Sequence, residues 1–340
     1  MRIDGNKFVI AGGLSQIGSE IARHLLNAGA CEVVLFDNYS LGTRDTVDAL
    51  LTDRRVKLLR GDVLRINELF DAFENAAGIF AVAGFLTLPL SLNPQLGLAV
   101  NIQGMLNICE ASRYRSGIKV IFSSSVAVYG ETERELTTER DAWMWSRQQP
   151  GAALYGGSKI IGENIGRLYH SKYKLPFVSL RYASVYGERQ HRRAINSAYI
   201  VDTIASVRRG ERPVIPDEGS EVHDYIHIHD IARANLMAME SDVSGESFTV
   251  ATGRSTSLNQ LVKIILDKMG SDLQPEHKTI EGKIRATTSS TVNFSNKKII
   301  DMLGWRPEIP LEVGIERIIL WTETGDVPSL VKNQDGTHPR

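Results

Sequence analysis

Short runs of β-branched and aromatic residues alternate with helix-length amphipathic segments through roughly the first half of the chain, and this rhythm restricts the fold more than any other feature. Phe8, Val9 and Ile10 read as a buried strand, and residues 17–28 as a helix stopped by Gly29. Residues 33–36 and 56–59 are expected to form the next two strands, and 78–83 a fourth. A long helix over 94–116, a strand at 119–123, a helix over 155–173 and a strand at 177–181 follow. Strands separated by helices imply an α/β fold with a Rossmann-type, doubly wound parallel sheet. After Arg181 the rhythm breaks. Residues 188–222 are rich in charge and turn formers, 224–239 read as a strand leading into a helix, and helices are expected over 257–269, 296–303 and 311–323. The expected division is a nucleotide-binding domain of residues 1–181 plus about 223–250. A smaller mixed α/β substrate lobe takes about 182–222 plus 251–325, and 326–340 form a loose tail.

Composition narrows the partners. The 340 residues carry 39 Lys and Arg against 40 Asp and Glu, a net charge of -1, which offers nothing to attract nucleic acid or a membrane surface. The longest apolar stretch, residues 78–90, is too short to span a bilayer and contains Pro89. The segment from Met1 to Lys7 lacks the apolar core of an export signal. Cys31 and Cys109 make neither a disulfide framework nor a metal spacing, so both are expected as small core residues and no metal site is expected. Together these features point to a cytoplasmic protein with a small-molecule substrate.

The first strand runs into Ala11-Gly12-Gly13-Leu14-Ser15-Gln16-Ile17-Gly18, which opens the first helix. Glycines there permit a tight turn and close approach of backbone to a pyrophosphate, and the helix N-terminus supplies N–H donors and a favourable dipole. Asp37 ends the second strand, at the spacing where a carboxylate accepts hydrogen bonds from an adenosine ribose. A carboxylate at that place repels a 2′-phosphate, so NAD is expected rather than NADP. Ser15 stands inside the turn as a small residue, either tolerated there or hydrogen-bonded to a phosphate.

A second pattern carries chemistry. Tyr155-Gly156-Gly157-Ser158-Lys159 is expected to open a helix, with Tyr155 and Lys159 at i and i+4 on one face. A free tyrosine, with a pKa of about 10, is a poor base at neutral pH, but an ammonium and a cationic nicotinamide nearby favour the phenolate. Ser123-Ser124-Ser125 ends a strand some thirty residues earlier, at the sheet edge where α/β folds bind ligands. Ser125 there can hold a substrate oxygen in line with Tyr155.

With these pieces the chain resembles the extended short-chain dehydrogenase/reductase superfamily, and within it the NAD-dependent nucleotide-sugar epimerase/dehydratase group. Further matching segments are Gly61-Asp62-Val63, Ala83-Gly84, Asn101-Ile102-Gln103-Gly104, Arg181-Tyr182, Val185-Tyr186-Gly187, Asp224-Tyr225-Ile226-His227 and Leu303-Gly304-Trp305. The resemblance implies that Ser125, Tyr155 and Lys159 are catalytic. It places Asp37 and Asn38 at the adenosine ribose, and Asp62 and Val63 at the adenine. Val82, Ala83 and Gly84 line the nicotinamide side, Asn101 sits near the cofactor and Tyr182 lies beneath the nicotinamide. Tyr155 and Lys159 also touch the cofactor, together with Gly12, Ser15, Gln16, Ile17 and Gly18 of the turn. The resemblance also implies a homodimer formed through the helices near 98–116 and 155–173.

Departures from the group's pattern fall at the substrate end. His223 stands where the group usually has a diphosphate-gripping arginine, and a histidine offers fewer donors and no permanent charge. Ser184 replaces an asparagine. Arg192, Arg193 and Arg285 are the candidates to supply phosphate contacts by another route, with Arg193 read as a solvated surface charge. The segment from Phe85 to Leu90 is unusually apolar for a sugar pocket. The main expectation is epimerisation of a nucleotide-activated sugar, at C4, through a transient ketone with NAD retained. The substrate contacts would be Ser125, Ser184, Arg192, His223 and Arg285. The alternative is a net NAD-dependent dehydrogenase or reductase on a non-nucleotide alcohol. A non-catalytic NAD-sensing binder is disfavoured by the intact Ser125, Tyr155 and Lys159.

Overall fold

In the computed structural model, which describes residues 1–130, 136–141, 150–190, 195–279 and 292–325, the expected rhythm becomes a seven-stranded parallel sheet. Its first six strands are β1 (Lys7–Ala11), β2 (Glu32–Asp37), β3 (Val56–Arg60), β4 (Gly78–Ala81), β5 (Lys119–Ser125) and β6 (Phe177–Tyr182). From one edge the order is Glu246–Val250, β6, β5, β4, β1, β2, β3. The chain therefore winds one way from β1 and the other way from β4. The crevice at the carboxyl ends of those two strands is the switch point, where doubly wound sheets take ligands.

Period-two alternation explains why both faces of the sheet are covered. Phe8 and Ile10 of β1 join Phe80, Ile121, Val178 and Leu180 in one buried cluster with helices α1 (Gln16–Asn27) and, later in the chain, Ile228–Glu240. Val9 and Ala11 join Val34, Ile79, Val120 and Phe122 in a second cluster on the other face. That cluster is closed by α2 (Ile66–Ala72), α5 (Met105–Arg113) and α6 (Pro150–Tyr173). Each fully buried aliphatic or aromatic side chain contributes about 1.5–3 kcal/mol, so neither face could be left open. α6 lies close on the sheet because it presents glycines there: a Cβ on Gly162 would stand 2.6 Å from the Phe122 ring.

Between β4 and β5 the chain forms α3 (Thr87–Leu92) and α4 (Pro94–Leu98), then a π-helical segment over Ala99–Gly104 before α5. The single helix expected over 94–116 is therefore interrupted by a π segment, and Asn101 sits within it. The helix expected to open at Tyr155 starts earlier, at Pro150, so Tyr155 and Lys159 lie inside a regular helix. Cys109 is a core residue as expected, but Cys31 is exposed, at the start of β2 beyond the hydrophobic positions.

Outside the large sheet, β7 (Ser184–Tyr186) pairs in parallel with Tyr225–His227, Val214–Pro216 pairs with Glu276–Lys278, and Val222–His223 pairs antiparallel with Thr256–Ser257. A third buried cluster there is built from Ile200, Ile204, Leu261, Ile265, Ile315 and Ile318. Its helices are α7 (Ile195–Arg208), α9 (Leu258–Met269) and α11 (Leu311–Thr324), α8 being the Ile228–Glu240 helix already placed on the sheet and α10 being Lys297–Leu303. Among the described residues no helix is long and apolar enough to cross a membrane.

Candidate active site

A cleft of about 380 Å³ runs across the carboxyl ends of β1, β4 and β5, within the range of small-molecule sites. Gly12, Ser15, Gln16 and Ile17 line one part of it, Asp37, Asn38 and Val63 another, and Ser125, Tyr155, Lys159 and Tyr182 a third. Ser184 and His223 lie on the same wall system.

The turn after β1 is set by backbone geometry. Gly12 has φ 91, and a Cβ there would sit 2.6 Å from the backbone N of Ala83. Only glycine lets β1 and the segment after β4 approach this closely. Ser15 caps α1: its hydroxyl accepts from Gly18 N at 3.0 Å and donates to Gly12 O at 2.7 Å. Both bonds fall inside the turn, so Ser15 shapes the helix N-terminus. Gly18 is buried beneath it, and a Cβ there would meet Gly12 O. Gln16 is buried and donates through Nε2 to Glu188 O at 2.8 Å and Gly187 O at 3.1 Å, tying the turn to the segment after β7.

Asp37 ends β2 with its carboxylate accepting from Tyr39 N at 2.9 Å and Leu14 N at 3.1 Å. Burial raises its pKa, opposed by these backbone N–H bonds. Asn38 donates to Asp62 at 3.2 Å, so Asp62 supports the rim through Asn38, and Val63 forms the wall itself. Val82, Ala83 and Gly84 continue the floor after β4. Asn101 is buried behind them: its side chain accepts from Phe85 N at 2.7 Å and donates to Phe85 O and Ser158 Oγ, both at 3.0 Å. It fastens the segment after Gly84 to α6.

At the chemical part, Ser125 hydrogen-bonds the Tyr155 phenol and also accepts from Ala127 N at 3.2 Å. Lys159 donates through Nζ to Ser123 O at 2.8 Å and stands 5.7 Å from the Tyr155 ring centre. Burial pushes the Tyr155 pKa up to about 12, with the Ser125 bond acting the other way. The same burial draws Lys159 down to about 8, opposed by the charge of Glu163. The expected lowering of Tyr155 is therefore not a property of the chain alone. That expectation counted a cationic nicotinamide, and the protein by itself contributes only a partly desolvated ammonium. Tyr182 lies on β6 with its hydroxyl 3.2 Å from Ser123 Oγ and 2.8 Å from Asn235 Nδ2.

The remaining end differs from what its residue types suggested. His223 is buried, with Nε2 2.7 Å from Glu221 Oε1 and Nδ1 3.4 Å from Ser184 Oγ. Asp224 accepts from Thr252 N, Thr252 Oγ1 and Gly253 N at 2.7–2.9 Å, fixing a neighbouring turn. Arg192, Arg193 and Arg285 lie outside the described residues. Gln190 and Phe294 line the cleft without having been singled out in the sequence. Gln190 stands three residues after the Val185-Tyr186-Gly187 segment, a signal that could have found it; Phe294 has none.

The residues present fit a dinucleotide. The Gly12 approach leaves backbone rather than side chain facing the cleft, a carboxylate stands at the ribose end, and the tyrosine–lysine face closes the other. The NAD dependent epimerase/dehydratase family model matches residues 8–251. The UDP-glucose 4-epimerase of Lacticaseibacillus casei is 31% identical over 314 residues, 88% of this chain and 91% of that protein. In solved structures, the UDP-glucose 4-epimerase of Thermotoga maritima with UDP-glucose superposes with TM-score 0.82 at 27% identity, covering 94% of this chain and 99% of that one. The UDP-glucose 4-epimerase of Thermus thermophilus in complex with NAD gives 0.80 at 26% identity, covering 94% and 100%. The glycine turn, the strand-end carboxylate and the serine–tyrosine–lysine face all fall inside the matched span, and the chain belongs to the NAD dependent epimerase/dehydratase family.

Proposed function

We propose that this chain is an NAD-dependent epimerase that inverts a secondary alcohol, at C4, of a nucleoside-diphosphate sugar through a transient ketone. The observation that carries the reading is the shared cleft: Ser125, Tyr155 and Lys159 open onto the same space as Gly12 and Asp37. Relatives that carry the name UDP-glucose 4-epimerase over nearly their whole length support it. Bound against the glycine turn, NAD supplies reversible redox chemistry at the sugar carbon. Tyr155 takes the proton of the reacting hydroxyl and returns it to the oxygen when the alcohol is re-formed. Ser125 holds that oxygen against the phenol. Lys159 stabilises the phenolate electrostatically and is held towards it by Ser123 O. Segments 182–222 and 251–325 form the substrate lobe in this reading. The test is incubation of the NAD-loaded protein with UDP-galactose: UDP-glucose should form with no net NADH. Net NADH accumulation from a simple alcohol, without UDP-glucose, overturns it.

One observation favours the dehydrogenase alternative. His223 is paired with Glu221, a carboxylate that repels a diphosphate. The two readings separate in a melting experiment at saturating NAD. A ligand at a hundredfold excess over Kd stabilises the fold by about 2.7 kcal/mol, so millimolar UDP should raise Tm if the substrate carries a nucleotide.

A homodimer is part of the proposal. Leu154, Ile161 and Leu168 are spaced by sevens on α6 and are exposed at 37%, 44% and 57%, so they form one apolar seam on its outer face. Sedimentation of the full chain tests it. A cytoplasmic setting is consistent with the exposed free thiol of Cys31.

A further inference from the structure

Tyr155, Lys159 and Glu163 stand at i, i+4 and i+8 of α6 and share one helix face. The mechanism above uses the first two. Glu163 is buried, at 4% exposure, and accepts from three sides. Arg181 of β6 grips it in two places, Nε to Oε1 at 2.9 Å and Nη2 to Oε2 at 2.7 Å. Ser124 Oγ donates to Oε1 at 2.6 Å, and Ser247 Oγ reaches Oε2 at 3.3 Å. Arg181 in turn donates to the Tyr129 hydroxyl at 3.1 Å.

The three consecutive serines of β5 thereby each hold a different member of the helix face. The Ser123 carbonyl takes Lys159, the Ser124 hydroxyl takes Glu163, and the Ser125 hydroxyl meets Tyr155. A buried ion pair is a poor way to gain stability, because desolvation offsets much of the attraction. Its placement one turn beyond Lys159 calls for another reason.

We propose that Glu163 is a positioning residue for Lys159: pinned by Arg181 and Ser124, it holds α6 in register on β5 and β6 so that the Lys159 ammonium stays at the Ser123 carbonyl, with a negative charge one turn along the same helix face. The inference rests on the epimerase reading of the cleft. The groups around Lys159 support it from every side. Its own helix supplies Tyr155 and Glu163. β5 supplies the Ser123 carbonyl and the Phe122 ring, whose centre is 5.1 Å away. A Cβ on Gly84 would lie 3.3 Å from Nζ, next to the uncharged Asn101. From β6, Arg181 bonds Glu163, and Tyr182 bonds Ser123. Glu163 is the charge that opposes the desolvation of Lys159.

The experiment compares wild type, Glu163→Gln and the double variant Glu163→Gln with Arg181→Met. Each is loaded with NAD and assayed for UDP-galactose to UDP-glucose conversion across about pH 6 to 10. Loss of an opposite charge moves a pKa by about one unit or more. The alkaline limb of kcat should therefore shift down by about one pH unit or more in both variants, with KM changed less than about threefold. The double variant guards against misfolding, because it removes Arg181 together with its carboxylate partner and leaves no guanidinium buried alone. If it restores both kcat and the wild-type limb, the pair is structural only and the proposal is overturned; an unmoved limb in either variant also overturns it. The same limb is read without substrate in the pH dependence of NAD affinity, since Lys159 lines the cleft. A wild type that converts no nucleotide sugar thus sinks the function reading without deciding this one.

Discussion

At the glycine-turn end of the cleft, the lining groups are held mainly by backbone. Gly12 is fixed by φ 91 and by contact with Ala83, Ser15 by the helix cap, and Asp37 by two N–H donors. At the other end, Ser184 of β7 and His223 of the Val222–His223 strand hold one another through side chains, with Glu221 just ahead of that strand on the other ring nitrogen. The first arrangement rests on backbone positions, which most side-chain changes leave in place. The second depends on how distant segments pack, so the same residue types can be donors to a ligand or to each other.

The largest effect should come where both ends serve the same chemistry. Tyr155→Phe keeps the buried ring and removes the proton carrier, so kcat should fall by about 10²–10⁴ with NAD still bound. Wild-type turnover in this variant would remove Tyr155 from the mechanism. Next, Gly12→Val strikes the backbone-defined end: its Cβ meets Ala83 N at 2.6 Å in a left-handed backbone conformation. Strain of that kind costs about 1–3 kcal/mol, so NAD affinity measured by fluorescence quenching should drop roughly tenfold or more. An unchanged affinity would mean that the turn is not the pyrophosphate cradle. Asp37→Ala should narrow the preference for NAD over NADP by about tenfold, the value of one charge-assisted hydrogen bond. Equal preferences in the wild type would refute that assignment. The smallest effect belongs to His223→Ala. Its ring is already engaged by Glu221 and Ser184, so UDP affinity by calorimetry should change by no more than a few-fold, about the value of one neutral hydrogen bond. A loss of a hundredfold would make His223 the main phosphate ligand and erase the contrast between the two ends.

Much of the architecture is legible in the sequence. The strands at β1, β2, β3, β5 and β6 fall within one or two residues of their expected places, because hydrophobic runs of four to seven residues bounded by turn formers have few other uses. Ser15 is legible as a small residue inside the turn, but its role as the cap of α1 is not. The π segment at Asn101 left no periodic mark, since one extra residue in a turn hardly changes a helical pattern. The early start of α6 was hidden too, because glycines and alanines carry little periodicity. Arg181 read as part of a motif, yet nothing in its spacing announced a partner eighteen residues away on α6.

The sequence by itself determined the parallel sheet, the dinucleotide turn and the tyrosine–lysine face. Each of these is encoded by contacts a few residues apart or by a period that repeats along one element. Only the tertiary structure decided that Ser125 meets Tyr155, that Asn101 braces the wall rather than lining it, and that His223 lies against Ser184. It also decided that burial, acting alone, pushes Tyr155 up and Lys159 down. Hydrogen-bond partners and desolvation depend on which distant segments exclude water from a side chain, and no local pattern carries that information.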